Sequence, residues 1–301
     1  MAITERQLAI WTNQGASATS QSTNNSIKNC LETGDWNGEM RFDRYLQGSY
    51  KNTTNIYANS DVDVVVELTS AFYSNKQNFS GDAREQYDEF YSIAKFGLED
   101  FKGVLINRLK AYYGHELIEV GEKAIRIKGA NGRLDADIVC CSTYRKFKTF
   151  SKSNPNNYDS GITFLEKTSR QSVINFPNSH YDNGTTKNSS CNSNFKPATR
   201  ILKNIKAKIV DNGGFSSKTC PSYFLECLLY NVGTNNYQKS TWNDIILGVL
   251  NQLHSFNSNN GLSDLYCQNG VVKLFGNSNT SWNESDARTS INEIIKFWNE
   301  Y

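Results

Sequence analysis

The sequence predicts an α+β protein, with a mixed sheet and flanking helices in the first half and a helical lobe after it. Three observations predict this. The run Val62-Asp63-Val64-Val65-Val66 is short and dominated by β-branched residues, the signature of a strand. Two further strands, Ala124 to Lys128 and Leu134 to Cys141, flank Asn131-Gly132, a strong hairpin-turn signal. From residue 195 onward the apolar residues recur at helical spacing. Domains of 1–170 and 171–301 follow, the first catalytic with an N-terminal helix and the second mainly helical.

Residues 3–31 read as mainly helical with an interruption at Gly15, and Arg41 to Gln47 as a short segment ending at Gly48. Residues 83–113 predict one long amphipathic helix, because Phe90, Ala94, Leu98, Phe101, Leu105, Leu109 and Tyr112 recur at three- and four-residue steps, with Gly114 as its stop. The stretch 151–194 is rich in Asn, Ser and Gly. It predicts short strands at Gly161 to Phe164 and Ser172 to Phe176 and irregular loop elsewhere. Helices are predicted at Thr199 to Asp211, Ser222 to Val232, 241–256 and 285–300, with Pro197 and Pro221 suiting the first two starts. There is no internal repeat.

Composition narrows the class. Hydrophobic residues at 38% and charged residues at 21% describe a globular chain and exclude a disordered one. No apolar run approaches the ~20 residues needed to cross a bilayer, and the N-terminus lacks the basic and apolar regions of a signal peptide. The seven Cys are scattered without a CxxC pair, which argues against a zinc site or disulfide framework and for a reducing cytoplasm. A net charge of +2 is low for a protein that grips long nucleic acid through many phosphates, so small substrates are favoured.

The chemistry concentrates in Gly48-Ser49 and, twelve residues on, Asp61-Val62-Asp63 running into Val64-Val65-Val66. Side chains alternate along a strand, so Asp61 and Asp63 face the same side. Two carboxylates on one face repel unless a cation lies between them, and hard oxygen donors suit Mg²⁺ together with substrate phosphates. Glycine lets the backbone approach a phosphate closely, and the serine hydroxyl and neighbouring amides donate to its oxygens. Either element alone is a weak signal; a turn or a solvated strand end would explain it. Together they place acids at the edge of a buried strand behind a phosphate-binding turn. A third carboxylate is predicted on the neighbouring strand, where Asp135 and Asp137 share a face. Asp137 directly abuts the apolar run Ile138-Val139-Cys140-Cys141, as Asp63 abuts its valines, and is preferred.

At this point the chain resembles the polymerase-β-type nucleotidyltransferases, and LQGSYKNTTNIYANSDVDVVVEL resembles one branch of them, the bacterial cGAS/DncV-like nucleotidyltransferases of antiphage signalling. Ala136-Asp137-Ile138-Val139 resembles that branch's third-carboxylate strand. Asn175 to Gly184 resembles its N-x-P-x-x-H-x-x-N-G stretch, Phe195 to Lys203 its FK-x-x-x-R-x-x-K helix, and Ser222-Tyr223-Phe224-Leu225-Glu226 its S-Y-x-x-E helix start.

The resemblance implies a polymerase-β-like core, a C-terminal helical lobe and an active site in the cleft between them. It implies synthesis of a cyclic oligonucleotide from nucleoside triphosphates, and a downstream effector that the product activates. Asp61, Asp63 and Asp137 would hold two Mg²⁺ ions, with Mn²⁺ as a substitute, and Asp137 would help deprotonate the attacking ribose hydroxyl. Gly48, Ser49, Lys203 and Ser222 would bind the triphosphate and Tyr223 would stack on the donor base. His180 would be a structural hydrogen-bonding residue rather than a catalyst. Thr163 and Asn175 mark the region where base choice would be made. The chain departs from the animal DNA-sensing relatives: Cys140-Cys141 lacks the His and third Cys of their zinc insertion, so no DNA clamp is expected. No membrane association and a monomeric state complete the expectation.

Overall fold

A computed structural model describes residues 3–15, 18–34, 36, 38–56, 61–276 and 281–301. Residues 16 and 17 of the expected N-terminal helical stretch, and 57–60 of the Gly-Ser/Asp-x-Asp motif, lie outside the described residues.

In chain order the elements are helices α1 (Glu5–Trp11) and α2 (Ala18–Glu32), strand β1 (Phe42–Leu46), short helix α3 (Gly48–Asn52), and strand β2 (Val62–Ser74). Helices α4 (Asp82–Phe90) and α5 (Leu98–Tyr113) precede strands β3 (Ile118–Val120), β4 (Ile125–Ile127), β5 (Ala136–Phe147), β6 (Tyr158–Leu165) and β7 (Ser172–Asn175). Helices α6 (Pro177–Ser190), α7 (Phe195–Asp211), α8 (Ser222–Tyr230), α9 (Thr234–Tyr237), α10 (Trp242–Ser258) and α11 (Glu284–Glu300) complete the chain. The fold is α+β, a mixed sheet with flanking helices and a C-terminal helical domain.

The chain forms two compact units. One comprises residues 16–47 and 59–177, and the other residues 1–15, 48–58 and 178–301.

The first unit is built on a seven-stranded sheet of order β1-β2-β5-β4-β3, with β6 beside β5 and β7 beside β6. Strands β2 and β5 run parallel at its centre; the other neighbours are antiparallel. Burial on both faces explains why β2 and β5 read as near-continuous apolar runs. Cys140 and Cys141 are buried β5 residues. The hairpin between β4 and β5 turns at Asn131 and Gly132, with φ of 54° and 79°, the left-handed pair that Asn-Gly accommodates.

The expected single helix over 83–113 is two helices. Tyr91 leaves α4 in an extended conformation, and the Gly97 backbone N–H donates to the Asp100 carboxylate at 2.9 Å, which opens α5. Ala94 is exposed and Ile93 is fully so, which removes the stripe's middle, whereas Leu98, Phe101, Leu105 and Leu109 are buried as their spacing requires. Tyr113, not Tyr112, completes that face.

The second unit packs α1, α7, α8, α10 and α11 around an apolar core that includes Leu8, Ile201, Leu202, Phe224, Leu228, Ile246 and Ile291. Residues 177–190, expected as loop, form α6. This helix buries only His180 and Gly184, so its sequence carries almost no apolar stripe. Helix α7 begins at Phe195, four residues before the expected Thr199, and Pro197 sits in its first turn, where a missing N–H costs nothing.

Candidate active site

The sheet places the acids. In the parallel β2–β5 ladder Asp63 is the register partner of Asp137, between the pairs Val62 with Ala136 and Val64 with Ile138. Those four apolar residues are fully buried. Alternation therefore turns Asp63 and Asp137 together to the opposite face, where both are half-buried. Asp61 precedes β2 by one residue and is exposed. The strand starts are tied together, because the Val62 N–H donates to the Asp135 carbonyl at 3.0 Å and the Gln47 N–H to the Asp63 carbonyl at 3.0 Å.

Asp135 and Asp137 differ in their surroundings. Asp135 forms an ion pair with Arg126, and its Oδ1 accepts the Gly129 N–H at 2.5 Å. These hydrogen bonds hold its carboxyl below the usual range. Burial pushes the Asp137 carboxyl up, the negative charges of Asp61 and Asp135 push it further, and only Arg126, its register partner on β4, acts against them. An open hollow of about 420 Å³ has Asp61, Arg133 and Asp135 on its wall.

Among the described residues no three His, Cys, Asp or Glu side chains converge closely enough to form a ready-made metal cage. Asp61, Asp63 and Asp137 instead offer hard oxygens from one sheet face, and the repulsion between Asp61 and Asp137 is one that a cation would relieve. That donor set fits Mg²⁺, which keeps several waters and takes substrate phosphate oxygens beside one or two carboxylates.

The helical unit holds the other candidates. Gly48 opens α3 with φ of 66°, a conformation that glycine adopts without a Cβ penalty. The Ser49 carbonyl accepts the Thr54 N–H at 2.9 Å, closing the segment on itself. Lys203 lies 4% exposed on α7, with Nζ donating to Glu226 and to the Thr54 carbonyl (3.1 Å) and Oγ1 (3.2 Å). Its charge is neutralised internally, so it is a scaffold cation in this structure. One turn further along α7, Lys206 Nζ donates to Ser222 Oγ at 3.3 Å. Pro221 occupies the N-cap of α8, so Ser222 is its first helical residue rather than its cap, and its hydroxyl is exposed. Tyr223 is half-buried, with its ring stacked on His180 at 5.0 Å and 22°. Thr163 bonds to Ser172 at 2.8 Å, and Asn175 Oδ1 accepts the Phe176 N–H at 2.8 Å.

The sheet thus brings Asp61, Asp63 and Asp137 to one face, while Gly48, Ser49, Ser222 and Tyr223 belong to the helical unit. Sequence reasoning missed Lys206 and the buried partnership of Thr54, Lys203 and Glu226. Lys203 and Lys206 lie three residues apart on one helix, and nothing in their spacing says which is buried.

Comparison with known proteins identifies the family. Residues 182–299 match the family model described as the cGAS/DncV-like nucleotidyltransferase C-terminal helical domain. The chain is 34% identical to a cyclic nucleotide synthase of Staphylococcus haemolyticus over the full length of both proteins. A solved structure of the c-UMP-AMP synthase of Rhodothermus marinus, with Apcpp and Upnpp, superposes with a TM-score of 0.89 at 35% identity, covering 99% of this chain and 97% of that one. A cyclic dinucleotide synthase of Elizabethkingia meningoseptica, with GTP and Apcpp, gives a TM-score of 0.80 at 26% identity, covering 99% of this chain and all of that one. The chain belongs to the cGAS/DncV-like nucleotidyltransferase family, and its sheet is the polymerase-β-like core of that family.

Proposed function

We propose that this protein joins nucleoside triphosphates into a cyclic oligonucleotide second messenger, a cyclic dinucleotide, with release of pyrophosphate, in antiphage defence signalling. The observation that carries this reading is the parallel register of Asp63 with Asp137, with Asp61 two residues before Asp63 on the same strand path. Full-length relatedness to cyclic nucleotide synthases supports the choice of product class.

Asp61, Asp63 and Asp137 would hold two Mg²⁺ ions in this reading, with Mn²⁺ as a substitute. Ions held there would supply Lewis-acid activation of an attacking ribose hydroxyl and charge balance for the departing pyrophosphate. Asp137, the register partner of Asp63, accepts the hydroxyl proton. Ser49 and Ser222 donate to phosphate oxygens. Lys206, the α7 lysine that reaches Ser222, takes the phosphate-facing role that the sequence assigned to Lys203. Tyr223 presents its ring to the donor base, backed by His180. The catalytic assignment falls to residues 1–170 and the nucleotide-binding assignment to 171–301, with Gly48 and Ser49 as the exception, since they group with the helical unit. No helix among the described residues is long and apolar enough to cross a membrane, and seven unpaired cysteines suit a reducing cytoplasm.

The test is the product. Incubation with all four triphosphates and Mg²⁺ or Mn²⁺, followed by phosphatase and mass spectrometry, should yield a phosphatase-resistant cyclic species. Only linear or acceptor-linked products would overturn the reading in favour of nucleotide transfer to an RNA, protein or small molecule.

A further inference from the structure

Glu226 sits where two functional branches of the helical unit meet. It is 5% exposed, one turn along α8 from Ser222 and Tyr223. Its Oε1 accepts the Thr54 hydroxyl at 2.8 Å and pairs with Lys203 Nζ. Its Oε2 lies 3.5 Å from His180 Nε2. Burial works to raise the Glu226 carboxyl, but Lys203 and His180 outweigh it and hold the group at about 2, so it is ionised at neutral pH.

The two branches end on candidate nucleotide contacts. Thr54 is fastened three ways: its hydroxyl to Glu226, its carbonyl to Lys203, and its N–H to the Ser49 carbonyl. Thr53 before it adopts φ of 56°, a strained conformation that needs such fastening. On the other side, His180 stacks on the Tyr223 ring. Neither ring nitrogen of this buried histidine has a hydrogen-bond partner at normal distance among the described residues, so the Glu226 contact and the Tyr223 stack are what define its orientation.

A buried ion pair is weak evidence for stability, since well-packed apolar residues of similar volume often do as well, and its best-attested use is to fix register. We propose that Glu226 is a positioning residue for the nucleotide. It sets the Ser49 loop through Thr54 and the Tyr223 ring through His180, so that the triphosphate and base contacts are pre-organised together. This rests on the reading of Ser49 and Tyr223 given above.

The two branches can be separated with two probes: inorganic tripolyphosphate, which has no base, and the α,β-methylene analogues of ATP and UTP, measured by calorimetry with Mg²⁺. Thr54→Val should weaken tripolyphosphate and both analogues alike, by about tenfold, the scale of a lost hydrogen bond to a charged group. His180→Ala should leave tripolyphosphate within about twofold and weaken the analogues by about threefold to tenfold, the range of an aromatic pair. Glu226→Gln should weaken all of them. If Glu226→Gln is insoluble, the paired change Glu226→Leu with Lys203→Leu takes its place, since it buries no unpaired charge. Variants that melt at lower temperature yet bind every probe as wild type does would reduce Glu226 to a structural role and overturn the inference. So would an equal loss on both probes from His180→Ala. Wild-type protein that binds neither probe would instead overturn the nucleotide-site reading, whatever the variants do.

Discussion

Asp137 on the sheet and Glu226 in the helical unit are both carboxylates withdrawn from water, and they reach opposite electrostatic states. Around Asp137 the protein gathers more acid: Asp61 and Asp135 add to the effect of burial, and Arg126, which opposes them, is hydrogen-bonded to Asp135. Around Glu226 it supplies a lysine, a histidine and a hydroxyl donor, and the carboxylate is held ionised. The contrast teaches what each group is for. A carboxylate balanced from within is part of the scaffold. A carboxylate left among other acids, on one face with Asp63, has its charged form destabilised, which is the setting the proposed metal role requires.

The largest test of this contrast concerns the sheet acids. Asp63→Ala and Asp137→Ala should each lower the initial rate of pyrophosphate release by about three orders of magnitude or more, because metal positioning fails. Asp137→Ala should not lower the melting temperature of the metal-free protein, since it removes a charge that Asp61 and Asp135 repel. A variant that keeps wild-type turnover, or one that loses activity only by unfolding, would erase the distinction between the two regions.

The opposite pattern is expected at Glu226. Glu226→Ala strands the Lys203 ammonium in the core, and unfolding in urea should show a loss of about 3–5 kcal/mol, the usual scale for breaking a buried pair. The pH dependence follows from the sign of the shift. The Glu226 carboxyl is held at about 2, against 4.5 for an unperturbed glutamate. Its stabilisation is therefore fully present above pH 4.5 and lost as pH falls from there toward 2. Melting curves across that window should fall more steeply for wild type than for the Glu226→Leu, Lys203→Leu pair. Parallel curves would show that the buried network adds no pH-dependent stability.

Between these extremes lies Lys206. Lys206→Ala should raise the KM for triphosphate by about tenfold, as expected for losing one charge-assisted phosphate contact, with little change in melting temperature. A larger KM effect from a well-folded Lys203→Met than from Lys206→Ala would return the phosphate role to Lys203.

These residues also show what a single sequence reveals. The β2–β5 pair was legible because a doubly buried parallel strand must be a β-branched apolar run, and any acid interrupting it is conspicuous. Preference for Asp137 over Asp135 rested on contact with that run; in the structure Asp135 is bound to Arg126 and Gly129. The break at 91–97 was hidden because Phe90 and Ala94 keep helical spacing by chance while facing solvent. Helix α6 was hidden for the converse reason: a helix that buries only a histidine and a glycine carries no periodic signal. The Glu226 partnership of Lys203 was hidden because a lysine on an amphipathic helix looks the same whether its partner is a ligand phosphate or a glutamate 23 residues away.

The smallest predicted effect cuts the comparison most finely. Asp135 shares its strand face with Asp137, two residues away, and its charge contributes to raising the Asp137 carboxyl. If proximity to the acid cluster were enough for catalysis, Asp135→Asn would be as damaging as Asp137→Asn. The Arg126 pair is solvent-exposed, however, and exposed pairs are worth about 0–1 kcal/mol. Asparagine keeps an oxygen to accept the Gly129 N–H, so the turn geometry survives. Asp135→Asn should therefore change stability by less than about 1 kcal/mol and leave kcat within about threefold, while Asp137→Asn removes nearly all turnover. The substitution also frees Arg126, whose register partner is Asp137. A released guanidinium that turns to Asp137 would compete with metal, so the residual effect of Asp135→Asn should shrink as Mg²⁺ is raised. A loss of activity in Asp135→Asn as deep as that of Asp137→Asn, and indifferent to Mg²⁺, would place Asp135 among the metal-holding acids and remove Asp137's separate standing.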